Sequence, residues 1–373
     1  MLVLILYPLE HRLVKQTIAF RVDSGLKIGT GHVMRCLTLA LALRDMGIDS
    51  VFICRPTEGG GDAILTSFGF KTLLLPTIRD YLNVSSHLLH GNFLQCSQEE
   101  DAEATMRLLK GIPEVTSILV DHYGIYKPWD LILGEFYTIY KLDDLADREH
   151  NCQGIIDQNF YVDMEHRYDD KIPVSSKRLI GPRYAILRPQ FCDVNIMDRR
   201  SRRSLDNALV SFGGQDANGY AFAITEDLLT NSSIAVTVMG RPTPSQTLAW
   251  KKLADEYPNR LTPPSFISDP LKIMMKADLY IGAGGTITWE RFACGLPGIV
   301  YSIAKNQIQM AKDLEFIGIQ AYAGSIGDYS WNALSKHLQD LSHPEDRWAL
   351  SSRIRDKVDG RGAQRIINEW FRN

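Results

Sequence analysis

The sequence predicts an α/β protein of two domains of similar size, each a parallel sheet covered by helices on both faces, the two facing one another across a cleft. Three observations predict it. Short apolar strands alternate with helical segments along the 373 residues, the pattern of parallel sheets with helical crossovers. The alternation breaks once, over an irregular stretch and a charged tract, and then restarts. Each half also carries a glycine-rich turn where a strand runs into a helix, the place where open α/β sheets bind ligands.

Residues 18–22 read as the first strand and 32–46 as a helix. Val33, Cys36, Leu37, Ala40 and Leu41 lie on one face of that helix at helical spacing, and Gly47 is its stop. Residues 50–54 form a strand, 63–68 a short helix, 71–75 a strand and 102–110 a helix. An apolar strand over 117–120 ends at Asp121, and another over 137–142 ends at Asp143-Asp144. Residues 178–189 are irregular and 198–203 are charged, so the linker is placed at 192–204. Beyond it, 207–211 is a strand running into Phe212-Gly213-Gly214, 220–229 a helix and 234–239 a strand. A helix ends over 274–278, and the strand 279–281 enters Gly282-Ala283-Gly284-Gly285. The helix after that turn stops at Gly295-Leu296-Pro297, and 298–301 is the next strand. The expected domains are 17–195 and 196–373, with 1–16 as an N-terminal extension. Its apolar start is too short to span a bilayer and lacks the basic leader of a signal peptide.

A composition of 45% hydrophobic and 23% charged residues is that of a soluble globular protein. The net charge of −3 gives no reason to expect nucleic acid as a partner, and no stable membrane insertion is expected. The six cysteines form no Cys-x-x-Cys pair, so neither a zinc site nor a disulfide framework is suggested. Reduced thiols in a cytoplasmic protein are the plain reading.

The first turn, Gly29-Thr30-Gly31-His32, lets backbone approach a ligand and places a histidine where a helix begins. Histidine is the residue type here that changes protonation near neutral pH. His32 is either a general base or a capping, hydrogen-bonded surface histidine. The turn is not a P-loop, because no Gly-Lys-Ser/Thr occurs in the chain. Nor is it a dinucleotide fingerprint, because Met34 stands where the third glycine belongs. The second turn, Gly282 to Gly285, leads into Thr286 and a helix that contains Glu290. Bare backbone N–H groups at a helix start suit a diphosphate without metal. Glu290 is either the acceptor for a ribose diol or simply an acid in a first helical turn. Asp121, Asp143, Asp144 and Asp157 lie near strand ends, but no Asp-x-Asp pair of the metal-dependent sugar transferases occurs. A site with neither metal nor cofactor is the expectation.

Ordered motifs then form one set: Arg21-x-Asp23, Ile28-Gly29-x-Gly31-His32-x-x-Arg35-Cys36, Asp143-Asp144-Leu145-Ala146, Asp157-Gln158-Asn159, Gly181-Pro182-x-Tyr184-x-x-Leu187-Arg188-Pro189, Ser211-Phe212-Gly213-Gly214-x-Asp216, Gly282-x-Gly284-Gly285-x-x-Thr288-Trp289-Glu290-Arg291 and Asn306-Gln307. The set resembles the UDP-2,4-diacetamido-2,4,6-trideoxy-β-L-altropyranose hydrolases of pseudaminic acid biosynthesis. That family is similar in turn to the N-acetylglucosamine transferase of peptidoglycan synthesis, with two Rossmann-like domains of GT-B-like architecture. The resemblance implies a hydrolase releasing UDP and free sugar by water attack at the anomeric carbon with inversion. It implies His32 as the base, and Arg21, Asp23, Gly29, Gly31, Gly213, Gly214, Gly284, Gly285, Thr286, Glu290 and Asn306 as contacts of a UDP-sugar. Gln190, Lys305 and Ile287 depart from the family pattern. A glycosyltransferase on the same fold and a non-catalytic nucleotide-sugar binder are the alternatives.

Overall fold

A computed structural model of the chain describes residues 16–26, 28–78, 88, 90–214, 216, 218–265, 267 and 269–372. Apart from Gln16, the expected N-terminal extension lies outside the described residues. The first part of the chain forms β1 (Thr17–Val22), α1 (Gly31–Asp45), β2 (Asp49–Cys54), α2 (Asp62–Ser67), β3 (Lys71–Leu74), α3 (Gln98–Leu109), β4 (Val115–Asp121), α4 (Lys127–Gly134), β5 (Thr138–Leu142), β6 (Gly154–Asp157) and β7 (Lys177–Ile180). The second forms β8 (Asn207–Ser211), α5 (Tyr220–Asn231), β9 (Ala235–Met239), α6 (Thr247–Glu256), β10 (Leu261–Ser265), α7 (Pro270–Lys276), β11 (Leu279–Ala283), α8 (Ile287–Ala293), β12 (Gly298–Ser302), α9 (Lys305–Phe316) and β13 (Ala321–Ser325). Helices α10 (Trp331–Asp340), α11 (Pro344–Arg355) and α12 (Gly362–Trp370) follow.

Two parallel sheets result, ordered β3-β2-β1-β4-β5-β6-β7 and β10-β9-β8-β11-β12-β13. Counted from its own first strand, each sheet runs 3-2-1-4-5-6, the doubly wound order, and the first adds a seventh strand at its edge. Ligands of such sheets bind beyond the strand ends where the order reverses, here between β1 and β4 and between β8 and β11. The strands are apolar runs because helices cover both faces: β1, β11 and β12 are buried at every residue.

Element boundaries shift where local chemistry overrides hydrophobic spacing. Helix α3 starts at Gln98 rather than 102, because Ser97 and Glu100 close a capping box. Strand β10 was hidden by Pro263-Pro264; it is an edge strand, where missing N–H donors are tolerated. The charged tract expected to be a linker is an anchor. Arg199 is buried and donates to the carbonyls of Met274, Ala277 and Cys294 at 2.6, 2.7 and 2.7 Å, closing the C-terminal ends of α7 and α8.

Two compact units follow from the packing. Residues up to Ile156 form the first with Tyr168–Arg178, and Asp157–Arg167 join Leu179 onward in the second. This differs from the expected boundary at 195. Residues 157–167 side with the second unit because Asn159 accepts from Trp289 Nε1 at 3.2 Å and Val162 N–H donates to Asp313 at 3.1 Å. Cys192 and Gly360 are likewise in contact, with Sγ 3.0 Å from the carbonyl.

Beneath the first turn lies a buried charge network. Arg21 grips Asp23 through Nη1 and Nη2 (2.5 and 3.0 Å) and Asp101 through Nε and Nη2 (3.0 and 2.8 Å). Arg55 Nη2 and Trp129 Nε1 also donate to Asp101, at 2.6 and 3.0 Å. Burial alone would raise the Asp101 carboxyl, but Arg21 and Arg55 hold it below the ordinary range. Asp101→Asn leaves these arginines without their shared anion. It is expected to cost about 3–5 kcal/mol, read as a lower urea midpoint with an unchanged slope. The same carboxyl gives an acid limit. Its folded pKa lies below the unfolded one, so its stabilisation is complete above about pH 4–5 and is lost as pH falls toward the folded value.

Candidate active site

The first turn is closed by Gly25 and Gly29, whose N–H groups donate to one another's carbonyls at 3.4 and 2.7 Å. Gly29 sits at φ +82°, a conformation that L side chains resist, and it lets the chain reverse into α1. Met34 at the third-glycine position is 38% exposed, so it does not intrude on the packing of α1 against the sheet.

His32 opens α1 and Asp121 ends β4, so the reversal point of the first sheet brings them together. Nδ1 of His32 lies 2.6 Å from Asp121 Oδ1. With Nδ1–H donating to this carboxylate, Nε2 carries the free lone pair; it has no hydrogen-bond partner among the described residues. The imidazole is 8% exposed, and the ring of Tyr123 meets it edge-on at 4.4 Å. Asp121 also accepts from Arg35 Nε and Nη2, both at 2.6 Å, and from Cys36 Sγ at 3.4 Å. Burial works against its charge, yet Arg35 and His32 hold the carboxyl well below the usual range. The arrangement is a buried carboxylate that orients an imidazole, the geometry of a general base.

Arg21 and Asp23 are placed differently from the expectation that they contact a ligand. They are 0% and 1% exposed, and their polar atoms go to one another, to Asp101, to the Arg55 N–H and to His122 Nε2 at 3.1 Å. They support the turn from below. Gly29 and Gly31, by contrast, are exposed at its surface.

In the second unit the scattered candidates converge. Strands β8, β11 and β12 are neighbours, with Ser211 paired to Gly282 and Ala283 to Tyr301. The segments leaving their C-terminal ends carry Gly213 and Gly214, Gly284 to Thr286, and Asn306. Gly213, Gly214, Thr286 and Asn306 are exposed, Gly285 is half-buried and Gly284 is buried. A crevice beside Gly213 is lined by Phe212, Asp216, Gly240, Arg241, Gln246 and Trp250. Glu290 projects from α8 with Oε1 2.9 Å from Arg188 Nη2. Burial pushes the Glu290 carboxyl up, and Arg188 opposes this.

Sequence reasoning named His32 but not its supports. His32, Arg35 and Cys36 share one helical face by their spacing, and that was a legible signal. Asp121 as the partner of His32 was not legible, because it depends on β4 lying beside β1. Asp144 and Tyr123 were hidden for the same reason. Arg188 as the partner of Glu290 required folding across 102 positions.

No family model matches the chain. An uncharacterised protein of Methanocaldococcus jannaschii is 23% identical over 299 residues, 78% of this chain but 56% of that protein. The chain thus spans little more than half the length of that relative. The UDP-2,4-diacetamido-2,4,6-trideoxy-β-L-altropyranose hydrolase of Campylobacter jejuni is 23% identical over 221 residues, 59% of this chain and 68% of the hydrolase. Among solved structures, MurG of Acinetobacter baumannii matches with TM-score 0.68 and 16% identity, over 95% of this chain and 99% of its own. The UDP-GlcNAc 2-epimerase of Neisseria meningitidis, bound to UDP-GlcNAc, matches with TM-score 0.58 and 11% identity, over 96% and 99%. These likenesses show the fold: two parallel-sheet α/β domains of the GT-B class. Among the described residues, no helix is long and apolar enough to cross a membrane.

Proposed function

We propose that this chain is an enzyme acting on a nucleotide sugar, and that its reaction is hydrolysis of UDP-2,4-diacetamido-2,4,6-trideoxy-β-L-altropyranose to UDP and the free sugar. The observation that carries this reading is His32 held through Nδ1 by buried Asp121 with Nε2 free. The partial similarity to the Campylobacter jejuni hydrolase supports the choice of substrate. In this reaction Nε2 takes a proton from water. The water oxygen bonds to the anomeric carbon, and the bond from that carbon to the diphosphate oxygen breaks, its electron pair leaving with UDP. Attack opposite the leaving group inverts the centre. Gly213, Gly214, Gly284, Gly285 and Thr286 would meet the diphosphate, whose charge backbone N–H groups stabilise in place. Glu290 would accept from the ribose diol, and Asn306 would touch sugar or phosphate. His32, Gly29 and Gly31 would form the reacting end.

The test is proton NMR of the protein with this UDP-sugar and no acceptor. Release of UDP with the inverted anomer appearing first is the expected result. Transfer is the second reading, favoured by the fold shared with MurG. It predicts no UDP release until an acceptor is added, and that outcome would replace hydrolysis. Conversion at C2 without net hydrolysis would make the chain an epimerase instead.

For the nucleotide half, Glu290→Ala is expected to weaken UDP binding about tenfold or more, as a lost charged hydrogen-bond acceptor does. Isothermal calorimetry with UDP checks it. An unchanged affinity would leave Glu290 with the merely structural role of pairing with Arg188.

A further inference from the structure

We propose that Arg35 is the positioning residue of the His32 base: its guanidinium fixes the two supports of the imidazole and stands against the charge that a second ring proton would bring. The inference rests on the reading of His32 as the base. Arg35 spans two carboxylates. Nε and Nη2 make a fork on Asp121 at 2.6 Å each, and Nη1 reaches Asp144 Oδ2 at 2.9 Å. Asp121 is the hydrogen-bond support of His32. Asp144 is bound by the Tyr123 hydroxyl at 2.6 Å, and Tyr123 is the packing support of the same ring. One side chain therefore ties together the polar and the apolar contacts that aim His32. Arginine suits this, since its planar fork can hold one carboxylate through two bonds and still donate to another.

The charge effect follows from the same geometry. A buried aspartate 2.6 Å from an imidazole favours the imidazolium, which is useless as a base. Arg35 shares that aspartate and places Nη2 3.1 Å from His32 Nδ1. With Nδ1–H already directed to Asp121, this is a contact of like charge once the ring is protonated. Arg35 thus opposes the imidazolium while leaving the orienting hydrogen bond in place. Among the described residues, the other titratable groups of the cluster are Tyr123 beyond β4, which meets the ring edge-on, Cys36 on α1, which donates to Asp121, Asp144 beyond β5, which accepts from Tyr123, and His90, whose ring lies 5.2 Å from that of Tyr123. Arg148 lies over Tyr123 at 6.0 Å, and neither it nor His90 bonds Asp121 among the described residues. Arg35 is the cation in direct contact with both partners.

The test is a histidine-labelled NMR titration of the full chain and of Arg35→Gln and Arg35→Lys, with His32 assigned through a His32→Gln control. Arg35→Gln is expected to raise the His32 midpoint by about one pH unit or more, the usual effect of an uncompensated neighbouring carboxylate. The acid limb of kcat/KM should move up by the same amount. Arg35→Lys keeps the charge but loses the fork, so its midpoint should fall between the two with a lower kcat. A purely structural arginine would lower activity without moving either midpoint, and that result overturns the proposal. If Arg35→Gln does not fold, a lysine variant with a midpoint at or below that of the natural chain overturns it equally. The NMR readout needs no substrate. Absence of hydrolysis by the natural chain would count against the proposed reaction and leave the Arg35 test intact. An unmoved midpoint in an active enzyme would do the reverse.

Discussion

Replacing His32 by glutamine is expected to lower kcat by about a hundred- to ten-thousandfold, the range spanned by general acid–base catalysis, with UDP affinity unchanged. Glutamine can still donate to Asp121 but cannot take a proton at the position of Nε2. The loss should therefore fall on the chemical step and spare binding. In the proposed reaction the leaving group would need no such help, since backbone dipoles would stabilise the charge of departing UDP. Single-turnover measurement of UDP release, set against calorimetric UDP binding, separates the two. Asp121→Asn is the companion variant. It presents an amide where a carboxylate now sets the tautomer, so the imidazole loses its orientation and part of its rate. Full activity in a folded His32→Gln protein would sink the assignment of the base.

Gly282→Ala is expected to unfold the second unit. A Cβ at this position would stand 1.9 Å from the carbonyl oxygen of Ser211 and 2.7 Å from the Tyr280 hydroxyl. The carbonyl cannot yield, because Ser211 and Gly282 are in register on paired strands β8 and β11. A backbone clash in a sheet centre belongs with the exceptional destabilisations, more than about 4 kcal/mol. Thermal melting followed by circular dichroism reads it, and UDP binding should vanish with the fold. Gly285→Ala is the control. Its Cβ would meet only the Gln307 amide at 3.9 Å, so the fold should survive while the turn proposed to meet the diphosphate is altered. A Gly282→Ala protein that melts with the natural chain would mean that the two strands are not packed this closely.

Much of the fold was legible because parallel strands covered on both faces must be apolar along their length. Strands β1, β2, β8 and β12 appear in the sequence as such runs, and their predicted bounds lie within a residue of the structure. What was missed obeys other rules. β10 carries two prolines that only an edge can tolerate, and α3 begins where a capping box, not hydrophobic spacing, places it. The charged tract over 198–203 falls within the linker expected at 192–204, where charge favours exposure. Arg199 is buried nonetheless, satisfied by three carbonyls at helix ends. The resemblance implies Arg21 and Asp23 as ligand contacts, but the buried Arg21 pairs with both Asp23 and Asp101.

The two-part α/β plan, the two glycine-rich turns and the histidine at the start of α1 are legible from the residues in chain order alone. These depend on local properties: side-chain period, the conformational freedom of glycine and the start of a helix. The folded sheets reveal that both halves begin with the same six-strand order, although no clear internal repeat can be read in the sequence. That order is what sets β4 beside β1 and hence Asp121 against His32, and β11 beside β8 and hence Gly282 against Ser211, the strand ends that lead into Gly284-Gly285 and Gly213-Gly214. Strand neighbours are chosen by packing and crossover handedness across the whole sheet, not by any residue's own neighbours in the chain. The contact of Asp121 with His32 is therefore visible only once the sheet has formed.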